Sequence, residues 1–160
     1  MLEKLFITSK AAMRDIILAR RKAQKPVSLI NEINFSEYQN IYIYESLPGE
    51  VQTDKFIRGL IANGKRVFVP KDERFTPLDS GKMEPPNLII VPALAYSKTG
   101  DRLGRGGGWY DKFLCKYPDV KKIGVIPEEF LFDNLPTEAH DVKVDEVIVI
   151  GESANGESEV

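Results

Sequence analysis

Apolar and polar positions along the chain change repeatedly between the spacing of helices and that of strands. In the first predicted helix the apolar residues have the i, i+3, i+4 spacing of a helix packed on a core: Met13, Ile16 and Ile17. Thr8 or Ser9 can cap this helix, which we expect to reach about Ala23, and Thr53 can cap a second one. Helices are therefore predicted over residues 10–23, 54–61 and 108–116.

Short apolar runs between the helices predict strands. The most convincing is the continuous Leu-Ile-Ile-Val run at 88–91, which is typical of a strand buried on both faces and ends at Pro92. Further strands are predicted at 41–44, 67–69, 122–126 and 146–150. The segments 71–86 and 93–107 are predicted as loops because of their proline, glycine and charged residues. This alternation of helices and strands predicts a layered α/β domain.

Composition narrows the class of protein. The chain has 160 residues, 42% of them hydrophobic, which predicts one domain over 1–150 followed by an acidic tail, 151–160, that extends into solvent. Its net charge of -2 argues against a nucleic-acid partner.

One cysteine, Cys115, and one histidine, His140, exclude an internal disulfide and a Cys/His zinc cluster, and Cys115 is expected to be a small buried group. No apolar run approaches the roughly 20 residues that span a bilayer, and no signal pattern opens the chain, so a cytoplasmic protein without a membrane partner is expected.

The segment GDRLGRGGGWYDKF, residues 100–113, is the centre of the candidate chemistry. Gly104, Gly106, Gly107 and Gly108 fall within five positions, beside Arg102 and Arg105. Glycines allow the backbone to approach a ligand, and successive N–H groups in such a loop can bind an anion. Because the loop lies between a buried strand and a helix, we expect an ordered phosphate cradle. The P-loop and GxGxxG patterns are absent, and a surface loop or an RNA-contacting Arg-Gly segment is the alternative.

Other charged residues could complete such a site. Lys10, Arg14 and Arg21 fall on one stripe of the first helix, where they could reach polyphosphate oxygens. A solvated helix face explains the same spacing and is the more frequent case. Asp111 beside the glycines and Asp141 are candidate magnesium ligands, although each also fits an ordinary carboxylate position.

Two aromatic residues and one carboxylate remain. Trp109 and Tyr110 open the third predicted helix, and one of them could stack on a flat ligand while the other packs into the core. Periodicity does not distinguish between them. Glu50 lies in the turn SLPGE, where ordinary loop chemistry is the default interpretation of a carboxylate.

Residues 91–114, VPALAYSKTGDRLGRGGGWYDKFL, closely resemble the signature of the 5-formyltetrahydrofolate cyclo-ligase family, also called methenyltetrahydrofolate synthetases. Weaker matches follow in the family's order: SKAAMRDIILARRKA, SLPGEVQT, VFVPK, IGVIPEEFL and LPTEAHDVKVDEVIV. The resemblance implies a three-layer single domain with a mostly parallel central sheet flanked by helices. It also implies ATP- and magnesium-dependent conversion of 5-formyltetrahydrofolate to 5,10-methenyltetrahydrofolate. ADP and phosphate are then released after phosphorylation of the formyl oxygen.

The resemblance further implies roles for individual residues. Nucleotide binding would involve Lys10, Arg14, Arg21, Arg102, Leu103, Gly104, Arg105, Gly106, Gly107, Gly108, Trp109 and Tyr110. Folate binding would involve Glu50, Arg105, Gly106, Gly107, Gly108 and Trp109, with Glu50 on the pterin end. Arg105 would also be catalytic, facing the transferred phosphoryl group, while Asp111 and Asp141 would hold magnesium. The implied partners are a reduced folate and ATP, bound by a monomer.

Two departures from the family pattern keep other functions open. Trp109 stands where the family commonly has tyrosine, and only twelve residues, 72–83, separate Lys71 from Glu84. Family members usually carry a longer stretch there, with a strand pair that helps to wall the folate pocket. The alternatives are an ATP-dependent enzyme of this fold acting on another carbonyl substrate, and a non-catalytic nucleotide- or RNA-binding module.

Overall fold

A computed structural model describes residues 9–23 and 25–151 of the chain. Thr8 and the predicted tail from residue 152 onward lie outside the described residues. In chain order the elements are α1 (Lys10–Arg21), β1 (Asn40–Ile43), α2 (Asp54–Ala62), β2 (Arg66–Lys71), β3 (Arg74–Pro77), β4 (Leu88–Val91), β5 (Ala95–Ser97), β6 (Arg102–Leu103), α3 (Trp109–Leu114), β7 (Lys121–Pro127), a 3₁₀ turn (Glu128–Phe130), β8 (Leu131–Phe132) and β9 (Glu146–Ile150).

Six strands of the described chain form the main sheet, in the order β3-β2-β1-β4-β7-β9. β3 pairs antiparallel with β2, and every other neighbouring pair is parallel. The predicted mostly parallel sheet is therefore confirmed. The chain continues from β1 to β2 on one side and then returns to place β4 on the other side of β1. This reversal creates a crevice at the carboxyl ends of β1 and β4, which is the usual place for ligands in open α/β sheets.

Alternate residues of the strands pack into two different cores, one on each face of the sheet. Tyr42 and Ile89 join α1 and α3 in one core, whereas Ile41 and Leu88 join α2 in the other. Strands that are buried on both faces need continuous apolar runs, which explains the Leu-Ile-Ile-Val sequence of β4. The molecule therefore has the three layers that the family resemblance implied.

Both segments that were predicted as loops contain strands. Residues 71–86 hold β3, which forms a hairpin with β2 through Asp72 and Glu73, whose φ angles are +51° and +61°. Residues 93–107 hold β5 and β6, which form a small second sheet with β8. Strands of two to four residues are too short to show a period of two, and Pro77 in β3 fits an edge strand although it reads as a loop residue.

The predicted helix ends are confirmed in part. The Ser9 hydroxyl oxygen accepts a hydrogen bond from the Ala12 N–H at 3.1 Å, so Ser9 caps α1. Thr53 precedes α2, but its hydroxyl donates to the Tyr44 carbonyl at 2.9 Å and makes no cap bond, so that part of the prediction was wrong. Cys115, which was expected to be buried, is exposed at the end of α3.

Candidate active site

A cavity of about 970 Å³ lies at the crevice where the strand order reverses. Its floor is formed by the ends of three neighbouring parallel strands, with Tyr44 after β1, Pro70 in β2 and Pro92 after β4. The start of α1, the glycine-rich loop and the segment 136–141 form its walls. The cavity therefore collects residues that are distant in sequence but lie at one edge of the sheet.

The glycine-rich loop is fixed to both neighbouring walls. Arg14 Nε of α1 donates to the Gly104 carbonyl at 2.8 Å, and Arg102 Nε donates to the Pro92 carbonyl at 3.1 Å. Gly106 and Gly108 have φ angles of +111° and +70°, which side chains other than glycine rarely tolerate. These contacts hold the loop in place between β4 and α3, although β5 and β6 interrupt it, and the phosphate cradle stays a prediction.

Asp111 joins α3 to the last wall of the cavity. Its Oδ1 atom accepts a hydrogen bond from the Val142 N–H at 3.0 Å and lies 3.6 Å from Arg102 Nη1. The Arg102 guanidinium also lies over the Tyr110 ring, 5.3 Å from its centroid. One cation and one carboxylate of the predicted site are thus adjacent, and both line the cavity.

Lys10 and Asp141 form the second charged group of the cavity. Lys10 Nζ lies 2.6 Å from Asp141 Oδ2 and 3.0 Å from Glu138 Oε1. Burial acts to lower the pKa of Lys10, but the hydrogen bonds and charges of Asp141 and Glu138 outweigh it and raise that pKa. Burial acts to raise the pKa of Asp141, but the hydrogen bond from Lys10 and the backbone N–H of Glu138 lower it.

The cavity also offers a place for a divalent cation. Asp141 Oδ1 is buried and has no hydrogen-bond partner within the described residues, and His140 Nε2 lies 3.6 Å from it. Glu138, His140 and Asp141 place their ligand atoms within 4.8 Å of one another. A buried carboxylate oxygen that accepts no hydrogen bond within the described residues fits a hard cation such as magnesium, while Lys10 contacts the other oxygen of the same carboxylate. Asp141 therefore fits the predicted role, with Asp111 on the same side of the cavity.

Glu50 and Arg105 face each other across the cavity mouth. Arg105 Nη2 lies 3.6 Å from Glu50 Oε2. Glu50 is buried, and its Oε1 atom accepts a hydrogen bond from the Leu47 N–H at 2.7 Å, which closes the turn 47–50. The turn therefore folds the Glu50 carboxylate inward, and its role in folate binding stays a prediction.

Trp109 and Tyr110 both line the cavity, but the polar atoms of the two side chains have different surroundings. The Trp109 indole N–H donates to the Glu73 carbonyl at 2.8 Å, so Trp109 holds the β2–β3 hairpin against the glycine-rich loop. The Tyr110 hydroxyl is buried without a hydrogen-bond partner in the described chain, and its burial raises the pKa of Tyr110 well above the ordinary range. Both residues line the cavity, and Phe75 of β3 contacts both rings.

Two of the predicted site residues lie outside the cavity lining. Leu103 is fully buried in β6 and packs in the core beneath the loop. Arg21 is 5% exposed, and its guanidinium donates hydrogen bonds to three backbone carbonyls, those of Gly49, Ala93 and Leu94. The other predicted residues all line the cavity: Lys10, Arg14, Glu50, Arg102, Gly104, Arg105, Gly106, Gly107, Gly108, Trp109, Tyr110, Asp111 and Asp141.

Several lining residues were not predicted. Glu138 shares Lys10 with Asp141, and Leu47 and Tyr44 line the cavity beside Glu50. Glu138 could have been found from its position three residues before Asp141 in the segment PTEAHD. Tyr44 could have been found as the residue that follows a buried parallel strand.

Comparisons with known proteins agree with the signature of residues 91–114. A model of the 5-formyltetrahydrofolate cyclo-ligase family matches residues 79–150. A probable 5-formyltetrahydrofolate cyclo-ligase of Caenorhabditis elegans is 29% identical over 157 residues, which cover 74% of this chain and 76% of that protein. The 5-formyltetrahydrofolate cyclo-ligase of Mus musculus is 28% identical over 182 aligned residues. The alignment covers 87% of this chain and 88% of that protein.

A solved structure shows the same architecture. The 5,10-methenyltetrahydrofolate synthetase of Mycoplasma pneumoniae superposes with a TM-score of 0.70 at 26% identity, covering 88% of this chain and 98% of that one. Within the described residues, no helix has both the length and the apolar character that crossing a membrane requires.

Proposed function

Because this chain belongs to the 5-formyltetrahydrofolate cyclo-ligase family, we propose that it converts 5-formyltetrahydrofolate and ATP to 5,10-methenyltetrahydrofolate, ADP and phosphate with the help of magnesium. The observation that carries this proposal is the composition of the cavity. Four cationic side chains, a glycine-rich loop and two candidate metal-binding carboxylates line one space at the switch point of the sheet: Lys10, Arg14, Arg102, Arg105, residues 104–108, Asp111 and Asp141. Phosphoryl transfer needs this combination of positioning and charge neutralisation.

The proposed reaction has two steps. The formyl oxygen attacks the γ-phosphorus of ATP, the bond from that phosphorus to the bridging oxygen breaks, and ADP leaves. The neighbouring folate nitrogen then attacks the activated formyl carbon and gives up its proton. The carbon–oxygen bond breaks, phosphate carries away the formyl oxygen, and the methenyl bridge remains. Neither step requires a protein nucleophile, which agrees with a chain whose single cysteine is exposed at the end of α3.

Cationic residues of this chain would hold the phosphates. Arg14 is oriented by its bond to the Gly104 carbonyl, and Arg102 by its bond to the Pro92 carbonyl. Arg105 is 44% exposed at the mouth, and its ion pair with Glu50 is long at 3.6 Å, so it is able to turn toward the transferred group. We assign Arg105 the catalytic role because charge placed on equatorial phosphoryl oxygens stabilises the transition state.

Asp111 and Asp141 would hold the magnesium ion. When bound, the ion neutralises phosphate charge and lowers the barrier to transfer. Lys10, which pairs with Asp141 in the described structure, would exchange that carboxylate for a phosphate oxygen. Exchange of this kind keeps every charge paired in both states, which avoids the cost of an isolated buried charge.

The folate would occupy the side of the cavity near Glu50. A pterin ring presents N–H donors, and the buried Glu50 carboxylate is a hydrogen-bond acceptor on this side of the cavity. The short β2–β3 hairpin contributes Pro70 to the lining and supports Trp109 from behind. This wall is shorter than the family pattern, but its contact with Trp109 holds it in place.

The proposal is tested by mixing the purified chain with 5-formyltetrahydrofolate, ATP and magnesium and following the near-ultraviolet absorbance of the methenyl product. We expect absorbance to grow only when all three are present, with one ADP formed per product. ATP binding without product would instead favour another carbonyl substrate, for which the shortened hairpin is the specific observation. Salt-sensitive RNA binding without turnover would favour the binding module.

A further inference from the structure

Arg21, the last residue of α1, has its guanidinium buried beneath the cavity rather than in it. Nη1 donates to the Gly49 carbonyl, while Nη2 donates to the carbonyls of Ala93 at 3.0 Å and Leu94 at 2.9 Å. The two nitrogens of one rigid group thus bind two segments of chain that are distant in sequence. A planar guanidinium can span two such acceptors in a fixed geometry, whereas a lysine ammonium offers one nitrogen.

The two segments joined by Arg21 are both parts of the cavity. Gly49 belongs to the turn 47–50, whose Leu47 and Glu50 line the cavity, and Ala93 lines it on the side of β4. Gly49 has a φ of +89°, and a Cβ atom at this position would lie 3.7 Å from the Arg21 Cβ. The turn therefore lies directly on Arg21, and its backbone conformation requires glycine.

The charge of Arg21 acts on the same turn. Burial lowers the pKa of Arg21, the negative charge of Glu50 opposes this effect, and the positive charge of Arg105 adds to it. A buried cation needs a compensating anion, and Glu50 is the carboxylate that provides it. On its other side the guanidinium lies 4.8 Å from the centroid of the Phe130 ring, which restricts its movement.

From these contacts we infer that Arg21 is a positioning residue for the folate side of the cavity, acting through Glu50, and is not a ligand of the ATP phosphates. The inference rests on the proposed function for the identity of the two substrates. Its structural part, that Arg21 holds the turn 47–50, stands independently. This corrects the expectation that the stripe of cations on α1 acts as one phosphate-binding group: Lys10 and Arg14 line the cavity, and Arg21 does not.

The kinetic test compares Arg21→Lys and Arg21→Met with Arg20→Met. Arg20 is the neighbouring arginine, and its side chain is 51% exposed and paired with Glu129 on the surface. For both Arg21 variants we expect the KM for 5-formyltetrahydrofolate to rise about tenfold or more, while the KM for ATP stays within about twofold. If Arg21 were a ligand of the ATP phosphates, the KM for ATP would rise and the KM for 5-formyltetrahydrofolate would stay unchanged. That result would overturn the inference. A residue with only a structural role would lower the unfolding temperature and leave both KM values unchanged.

A second measurement does not depend on turnover. Hydrogen exchange of the backbone amides of residue 47 and residues 49–52, which flank the proline at 48, should accelerate about tenfold or more in both Arg21 variants and remain unchanged in Arg20→Met. Unchanged exchange would refute the positioning role even if the wild-type enzyme is active. Faster exchange in a chain without cyclo-ligase activity would refute the proposed function and leave the positioning role standing.

A third variant covers the case in which Arg21→Met does not fold. Gly49→Ala leaves Arg21 in place but strains the turn at its positive φ angle. It should show the same split between the two KM values and the same faster exchange at 47–52. Normal folate KM in a folded Gly49→Ala variant would show that the turn does not control folate binding, and the inference would fail.

Discussion

Replacing Arg105 by alanine separates a catalytic arginine from one that only holds the structure. The side chain is 44% exposed, and its contact with Glu50 is an ion pair of 3.6 Å. The contact is long, the Arg105 side is solvated, and the nearby Arg21 still compensates the buried Glu50 carboxylate, so we expect a loss of about 1 kcal/mol and a fall in the unfolding temperature of no more than about 4 °C. Removal of a charge that stabilises the transferred phosphoryl group costs far more, about 3–4 kcal/mol or a factor of about 10²–10³ in kcat.

The assay is steady-state turnover with ATP varied at saturating folate. We expect kcat to fall by about 10²-fold or more in Arg105→Ala, with partial recovery in Arg105→Lys, which keeps the charge but loses the fork. The control is Arg58→Ala, because Arg58 lies on the surface of α2 and has an ion pair of the same 3.6 Å length with Asp54. An Arg105→Ala enzyme with normal kcat and a raised KM for ATP alone would refute the catalytic role and leave a binding role.

Three further predictions concern the magnesium site, two buried tyrosines and a surface ion pair. Asp111→Asn should fold with an unfolding temperature close to that of the wild type but lose magnesium-dependent turnover. The control Asp133→Asn, which changes an exposed carboxylate, should keep that turnover. Normal magnesium-dependent turnover in Asp111→Asn would exclude Asp111 as a ligand. Tyr110→Phe should not lower the unfolding temperature because it removes a buried hydroxyl that has no hydrogen-bond partner among the described residues, while Tyr96→Phe should lower it by about 2–4 °C because that hydroxyl donates to the Val91 carbonyl at 2.5 Å; equal losses would contradict this contrast. Hydrogen bonds from Arg66 lower the pKa of Asp79 to about 2, so the stability that Asp79 contributes is present above its ordinary pKa of 3.8 and is lost as the pH falls toward 2. The unfolding temperatures of Asp79→Asn and wild type should therefore converge at acid pH. A difference that stays constant with pH would contradict this assignment.

The parallel core of the fold could be predicted from the sequence because its strands are buried on both faces. Continuous apolar runs such as residues 88–91 leave few alternatives once helices flank them. The hairpin of β2 and β3 was missed for a physical reason. Its turn is formed by Asp72 and Glu73 with positive φ angles, and neither residue is the glycine or asparagine that usually announces such a turn.

The site could be predicted in part because glycines with positive φ angles and neighbouring arginines have few structural explanations. The position of Arg21 could not be predicted, since helical spacing gives the direction of a side chain but not the depth at which the helix packs. Arg14 and Arg21 share a stripe, yet Arg21 lies at the end of α1 that is buried beneath the turn 47–50. Glu50 was identified from the family resemblance and not from its spacing, because its inward orientation depends on how the turn docks on that arginine.

If ATP activates the formyl oxygen of the folate, that oxygen must leave in the released phosphate, and an isotope label follows it. The chain would be given 5-formyltetrahydrofolate labelled with ¹⁸O in the formyl group, together with ATP and magnesium, and the released phosphate would be analysed by mass spectrometry. We expect one ¹⁸O atom in each phosphate and ADP in equal amount. Methenyl product formed with unlabelled phosphate, or without any ADP, would exclude activation of the formyl oxygen by ATP.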